Sequence, residues 1–180
     1  MNDEALIHSC KTGDKEAWYM LVNKYSNLVF SIAYNFTADS DEAEDVLQEV
    51  FIKFFNKIKE IEGDFNIKSW LVRVTKNYCI DIWRKRKRNN FINELNENID
   101  SQAKTPEEEL LEKHKKEILE SSISELENDF KILIILRDIE GLSYEEISES
   151  LKIPIGTVKS RLNRARVLLL KKVRSKEDGM

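Results

Sequence analysis

Apolar residues recur along this chain at intervals of three and four, the period of an α-helix. From Asp14 onward, Trp18, Leu21, Val22, Tyr25, Leu28, Val29, Ile32, Ala33 and Phe36 fall on one face, which predicts a long amphipathic helix ending near 37–39. A second helix is predicted after Ser40 or Asp41. Its early acids, Asp41, Glu42 and Glu44, suit the positive end of the helix dipole, and Val46, Leu47, Val50, Phe51, Phe54, Phe55 and Ile58 form its apolar stripe. The pair reads as an antiparallel hairpin. Gly63, with Asp64 and Asn66 beside it, marks a loop before a third helix that carries Trp70, Leu71, Val74, Tyr78 and Ile82 and ends in the basic run Arg84–Arg88.

Residues 89–104 are rich in Asn and acids and poor in large apolar side chains, as a linker is. Thr105-Pro106-Glu107-Glu108 then supplies an N-cap, a proline at the first helical position and early acids, so a helix is expected to resume there. A further helix is predicted near 124–139, ending at Gly141, with the apolar run 132–136 read as buried helix. Ser143 and Glu146 have the spacing of a capping box, which starts a short helix that buries Ile147 and Leu151 and is broken at 152–154. After Pro154 and Gly156 a second helix carries Val158, Leu162, Ala165, Leu169 and Val173 on its inner face. A short capped helix, a tight turn and a longer helix make a helix-turn-helix. The expected fold is all-α: two small helical domains, 1–92 and 112–176, joined by a linker at 93–111, the C-terminal domain being the helix-turn-helix.

Charge sharpens this picture. The chain has 180 residues and a net charge of −4, which looks wrong for a nucleic-acid binder. The average hides blocks of opposite sign. Residues 1–64 hold 13 acids against 6 bases and residues 93–150 hold 17 against 6, whereas 65–92 hold 8 bases against one acid. Residues 152–176 hold nine bases and no acid. A solvated surface helix usually mixes signs; a helix for the major groove wants one cationic face, because each neutralised phosphate releases counterions. Local field decides where DNA approaches.

Cys10, Cys79, His8 and His114 have no zinc-ligand spacing, so no metal and no cofactor are expected, and the thiols read as free in a reducing cytoplasm. With no apolar run of 18 residues and no signal segment at Met1, no membrane insertion is expected.

Four ordered motifs give the chain a family resemblance. Asp41-Glu-Ala-Glu-Asp-Val-Leu-Gln-Glu-Val-Phe51, Trp70-Leu-Val-Arg73, Asp81-Ile-Trp-Arg-Lys-Arg-Lys87, and Leu142-Ser-Tyr-Glu-Glu-Ile147 with Ile155-Gly-Thr-Val-Lys-Ser-Arg-Leu162 resemble bacterial RNA polymerase sigma factors. The two-domain layout is similar to the extracytoplasmic-function (ECF) class, over about residues 10–92 and 112–174. The resemblance implies an alternative sigma factor that binds core polymerase, reads the −10 and −35 promoter elements and helps open the duplex, in a stress or envelope-signal response. It also implies an anti-sigma factor as a partner.

By family position, Asp45, Gln48 and Glu49 would dock on the coiled coil of the largest polymerase subunit. The loop 61–68, with Asn66 and Lys68, and the helix face of Arg73, Lys76, Asn77 and Arg84 would hold the −10 strand, where cations track the backbone and a pocket takes an extruded base. Trp70 reads as core, and Trp83 is open between core and stacking platform. Lys159, Ser160, Asn163 and Arg164 would face −35 base edges; Thr157, Arg161 and Arg166 suit phosphates. The rival reading is a stand-alone helix-turn-helix regulator, which would need a sensor or dimerisation domain that the pattern does not contain. No phosphate-cradling glycine loop, His-Glu-x-x-His pair or nucleophile elbow points to an enzyme.

Overall fold

A computed structural model describes residues 2–93 and 107–178, with side chains at 2–88 and 114–178. Its elements are helices throughout: α1 (Asp3–Lys11), α2 (Lys15–Thr37), α3 (Ser40–Lys57), a 3-10 turn (Ile58–Glu60), α4 (Ile67–Asn93), α5 (Glu107–Ser124), α6 (Asn128–Ile134), α7 (Tyr144–Leu151) and α8 (Ile155–Glu177). The cap residues explain the boundaries. Asp14 accepts hydrogen bonds from the backbone N–H groups of Glu16 and Ala17, and Asp39 accepts from Glu42, so each starts a helix by pairing otherwise unpaired donors. α2 ends at Ala38, which takes the left-handed conformation at φ 55°. Asn66 caps α4 through Ser69 N–H at 2.9 Å.

α2 and α3 form the expected hairpin, and α4 lies across both. Leu21, Val29, Ile32, Val46, Val50 and Phe54 are buried between them. Trp70 joins this core, its ring 5.3 Å from that of Phe54. Phe55 departs from the predicted stripe: it is 57% exposed, edge-on to Trp18, because the hairpin is narrower than the seven-residue stripe it was read from. The pattern also missed α1, whose Leu6 and Ile7 close the open end of the hairpin.

In the C-terminal half the predicted helix at 124–139 divides. α5 runs to Ser124, Glu127 takes an extended conformation, and α6 passes into a π-turn at Ile135–Ile139 before Gly141, at φ 69°, turns the chain. The run 132–136 is buried, as a helix requires for so apolar a segment. The capping box at Ser143 and Glu146 is formed in both directions, and α7 ends at Lys152 in the left-handed conformation (φ 58°). α8 buries Val158, Leu162 and Ala165, while Leu169 and Val173 are half-buried. α4 continues past the basic run to Asn93, and α5 begins at Glu107, where the sequence led a helix to be expected, so that helix occupies the C-terminal part of the 93–111 linker bounds. The expected cap at Thr105 and Pro106, and linker residues 94–106, lie outside the described residues.

The two halves do not stand apart. α7 packs on α4, α2 touches the π-turn and α5, and buried side chains form one continuous apolar cluster from Leu6 to Ala165.

Candidate polymerase and nucleic-acid interfaces

Asp45, Gln48 and Glu49 share the solvent face of α3, opposite buried Val46, Val50 and Phe54. Glu49 accepts a long hydrogen bond of 3.4 Å from the Tyr78 hydroxyl. One and two turns beyond Gln48 the same face carries Ile52, 55% exposed, and Phe55. An acidic and amide end thus runs into an apolar end. Sequence periodicity passed over Ile52 because it lies outside the buried stripe, and that position is itself the signal: a β-branched residue off the core stripe of an amphipathic helix.

On α4, Arg73, Lys76, Asn77 and Arg84 follow one face at helical spacing; Asn77 and Arg84 are exposed, and Arg73 and Lys76 half-buried. Arg84 is 3.4 Å from Asp81 on the same helix. The basic run is not uniform. Arg86 turns back to the α2–α3 corner, donating to Glu42 at 2.7 Å, the Thr37 carbonyl at 3.1 Å and Asp39 at 3.4 Å. It is a structural brace, invisible in a row of five cations. Trp83, left open by sequence, is 39% exposed with the Lys87 ammonium 5.2 Å from its ring.

The loop end of this surface is engaged by the other half of the chain. Lys68 pairs with Glu146 of α7 at 2.7 Å, and Asn66 donates to Glu149 at 3.0 Å. Ser31 donates to Glu140. Glu146 also completes the capping box, accepting from the Ser143 backbone N–H at 2.7 Å. The Lys68 hydrogen bond first, and the Ser143 backbone second, hold its carboxyl below the usual glutamate range.

On α8 the predicted contacts sort into two groups. Asn163 and Arg164 are exposed with no partner among the described residues, and Lys159 lies with its ammonium 5.5 Å from the Tyr144 ring. Thr157 is half-buried, and its carbonyl accepts from the exposed Ser160 hydroxyl at 3.2 Å. The two proposed phosphate contacts are paired within their own half: Arg161 with Asp129 at 3.4 Å, and Arg166 through two nitrogens with the two oxygens of Asp138. The Asp138 hydrogen bond raises the Arg166 pKa further above its already high value. No helix among the described residues is long and apolar enough to cross a membrane, and no group of three or more His, Cys, Asp or Glu residues among them is placed to hold a metal ion.

Comparison with known proteins bears on both halves. Residues 21–89 match the model of sigma-70 region 2, and residues 116–169 match that of sigma-70 region 4. The ECF RNA polymerase sigma-E factor of Haemophilus influenzae is 35% identical over 182 aligned positions, spanning 96% of each chain. The RNA polymerase sigma-H factor of Pseudomonas aeruginosa is 32% identical, over 91% of this chain and 90% of its own. Among solved structures, the sigma factor RpoE in complex with the anti-sigma factor NepR, from Bartonella quintana, superposes with a TM-score of 0.64 at 27% identity, covering 89% of this chain and 97% of that one. CnrH, in complex with the cytosolic domain of CnrY, shares the fold with a TM-score of 0.73 at 21% identity, covering 96% and 97%. A region 2 match in front of the helix-turn-helix leaves the stand-alone regulator without support. With both regions matched in order and relatives aligned over nearly its whole length, the chain belongs to the sigma-70 family as an ECF-class sigma factor, a transcription initiation factor that directs RNA polymerase to its promoters.

Proposed function

We propose that the protein works in the cytoplasm with the core-binding, −10 and −35 tasks divided among three helices, and that it answers a stress or envelope signal through an anti-sigma partner. α3 meets the largest-subunit coiled coil with Asp45, Gln48 and Glu49, and the exposed Ile52 and Phe55 extend that contact with apolar area. α4 and the loop before it hold the opened −10 strand with Asn66, Lys68, Arg73, Lys76, Asn77 and Arg84. The first turns of α8 enter the major groove: Lys159, Ser160, Asn163 and Arg164 reach base edges, while Thr157, Arg161 and Arg166 hold phosphates.

The observation that carries this division is the separation of charge. Cations line α4 and α8, while the exposed acids of α3 stand on a third helix where DNA is repelled and a basic partner is not. An anti-sigma partner is proposed because the solved sigma factor RpoE is held by the anti-sigma factor NepR in its complex.

Reconstitution tests the assignment. The purified chain with core polymerase should initiate at discrete promoters sharing −10 and −35 elements, mapped by transcription start sites after forced expression. Tight, promoter-specific binding by the chain alone at physiological salt, with no need for core, would sink it.

A further inference from the structure

One aromatic ring of the C-terminal half meets two cations. Tyr144 opens α7, directly after the Ser143 cap, and is half-buried against the apolar cluster. The Arg137 guanidinium of the π-turn lies 4.7 Å from the centre of its ring, and the Lys159 ammonium of α8 lies over the ring at 5.5 Å. Arg137 is itself tied down, donating to the Leu142 carbonyl at 2.6 Å. The ring is thus fixed by the formed capping box, by the cluster it packs against and by the arginine.

Lys159 is anchored by far less. It is exposed in the second turn of α8, and no carboxylate among the described residues pairs with it, whereas Arg161 and Arg166 on the same helix are each held by an acid. A lysine stem is among the side chains that lose most freedom when ordered, and a base contact has to impose that order. An ammonium over an aromatic face is attracted by the negative face of the ring, weakly enough at an exposed site for the contact to be exchanged for another. The ring differs from a carboxylate in what it leaves behind: the charge stays uncancelled and the N–H donors remain free to turn to the acceptors of a guanine edge.

We propose that Tyr144 is a positioning residue for −35 recognition: its ring, anchored by Arg137, confines the Lys159 ammonium beside the first turns of α8 with its charge intact, so that the lysine meets its base already ordered. The proposal rests on the assignment of Lys159 to a −35 base edge.

Reconstituted holoenzyme on a panel of promoters that differ at single −35 positions reads the effect. Lys159→Ala should remove the preference at one of those positions. Tyr144→Leu keeps an apolar side chain against the cluster but no aromatic face. It should lower discrimination at that same position by roughly 2- to 5-fold, the range of an exposed contact between cation and ring, and should add nothing in the Lys159→Ala background. Tyr144→Phe keeps the face and should discriminate as the unaltered chain does. A merely structural tyrosine would instead scale all promoters down together. That uniform loss overturns the proposal, as does a Tyr144→Leu effect that persists without Lys159 or an equal loss in Tyr144→Phe. A gain in discrimination overturns it too, since the ring would then be holding Lys159 back. Where Tyr144→Leu does not fold, Tyr144→Met takes its place, and NMR of the unaltered chain gives an independent check: a ring beneath the ammonium shifts the Lys159 ε-methylene protons upfield, and an unshifted resonance refutes the contact. Failure of the underlying assignment is distinct: Lys159→Ala would leave every preference intact with Tyr144 in place, and the positioning role would fall with it.

Discussion

Replacing Asp138 with Asn should strengthen promoter binding by the holoenzyme, because this carboxylate holds the Arg166 guanidinium that is proposed to meet a phosphate. The arginine Nε lies 3.0 Å from Oδ2, and a second nitrogen meets Oδ1. Both side chains are partly open to water, so the pair contributes only about 0.2–1 kcal/mol. That is small enough for DNA to compete with it and large enough to matter. Asn keeps the shape and removes the competing charge. A released Arg166 neutralises one further phosphate, which steepens the dependence of log affinity on log salt by about 0.9. Over a fourfold rise in salt, one extra contact then costs roughly 3.5-fold more affinity. Anisotropy of a labelled promoter fragment with reconstituted holoenzyme, across a salt series, measures the slope for the wild type, Asp138→Asn, Arg166→Ala and the double variant. The expected order is Asp138→Asn steepest, with the double variant matching Arg166→Ala, and with each change equal on preferred and scrambled −35 sequences. If Asp138→Asn steepens the slope just as much without Arg166, the carboxylate repels DNA directly and the pairing argument fails. If Arg166→Ala alters base preference, the reading face of α8 has been assigned the wrong way round.

Arg164→Ala, by contrast, should cost about 1–3 kcal/mol at the preferred −35 site and relax preference at one or two positions, scored by in-vitro transcription from a panel of −35 variants. Uniform loss across the panel would contradict direct base contact. The double change Asp45→Lys with Glu49→Lys should abolish co-purification with core polymerase at nearly unchanged melting temperature, since exposed positions carry little stability. A variant that melts early, or one that still co-purifies at full yield, would contradict that placement. Glu146 has its pKa held below the ordinary glutamate value of 4.5, so its contribution is fully present above that value and is lost as pH falls through the lowered one. Because the group is partly exposed the effect should stay under about 1 kcal/mol, and Glu146→Gln should flatten the acid limb of the urea midpoint against pH; an unchanged limb refutes it. Cys79 is buried with its thiol pushed up to about 12 by that burial, so iodoacetamide should modify Cys10 first and Cys79 only on unfolding, as read by mass spectrometry. Early labelling of Cys79 would show that α4 is less well covered than described.

The sequence by itself determined what depends on neighbours three or four residues away. Helical periodicity identified α2, α3, α4 and α8, and the Ser143–Glu146 spacing identified the start of α7, because a cap bonds to groups within its own first turn; the start of α3, expected after Ser40 or Asp41, was fixed at Ser40 only by the Asp39 cap seen in the structure. Motif order gave the family, and the one-sided charge of 152–176 singled out the helix proposed to read DNA. The tertiary structure decided what depends on partners far along the chain. Five consecutive cations at 84–88 look alike in sequence, yet Arg86 braces the α2–α3 corner more than forty residues earlier while Arg84 faces solvent. Phe55, a member of the apolar stripe, is left exposed because the width of the helix pair, and not the period, sets how much of a stripe is buried. The pairing of Arg161 and Arg166 with acids of α6 and the π-turn, the contact of Lys68 with Glu146, and the placing of the Lys131 ammonium beside the Phe36 ring all arise from long-range packing. A charge carries no mark in the sequence of which opposite charge, or which apolar wall, the fold will bring against it.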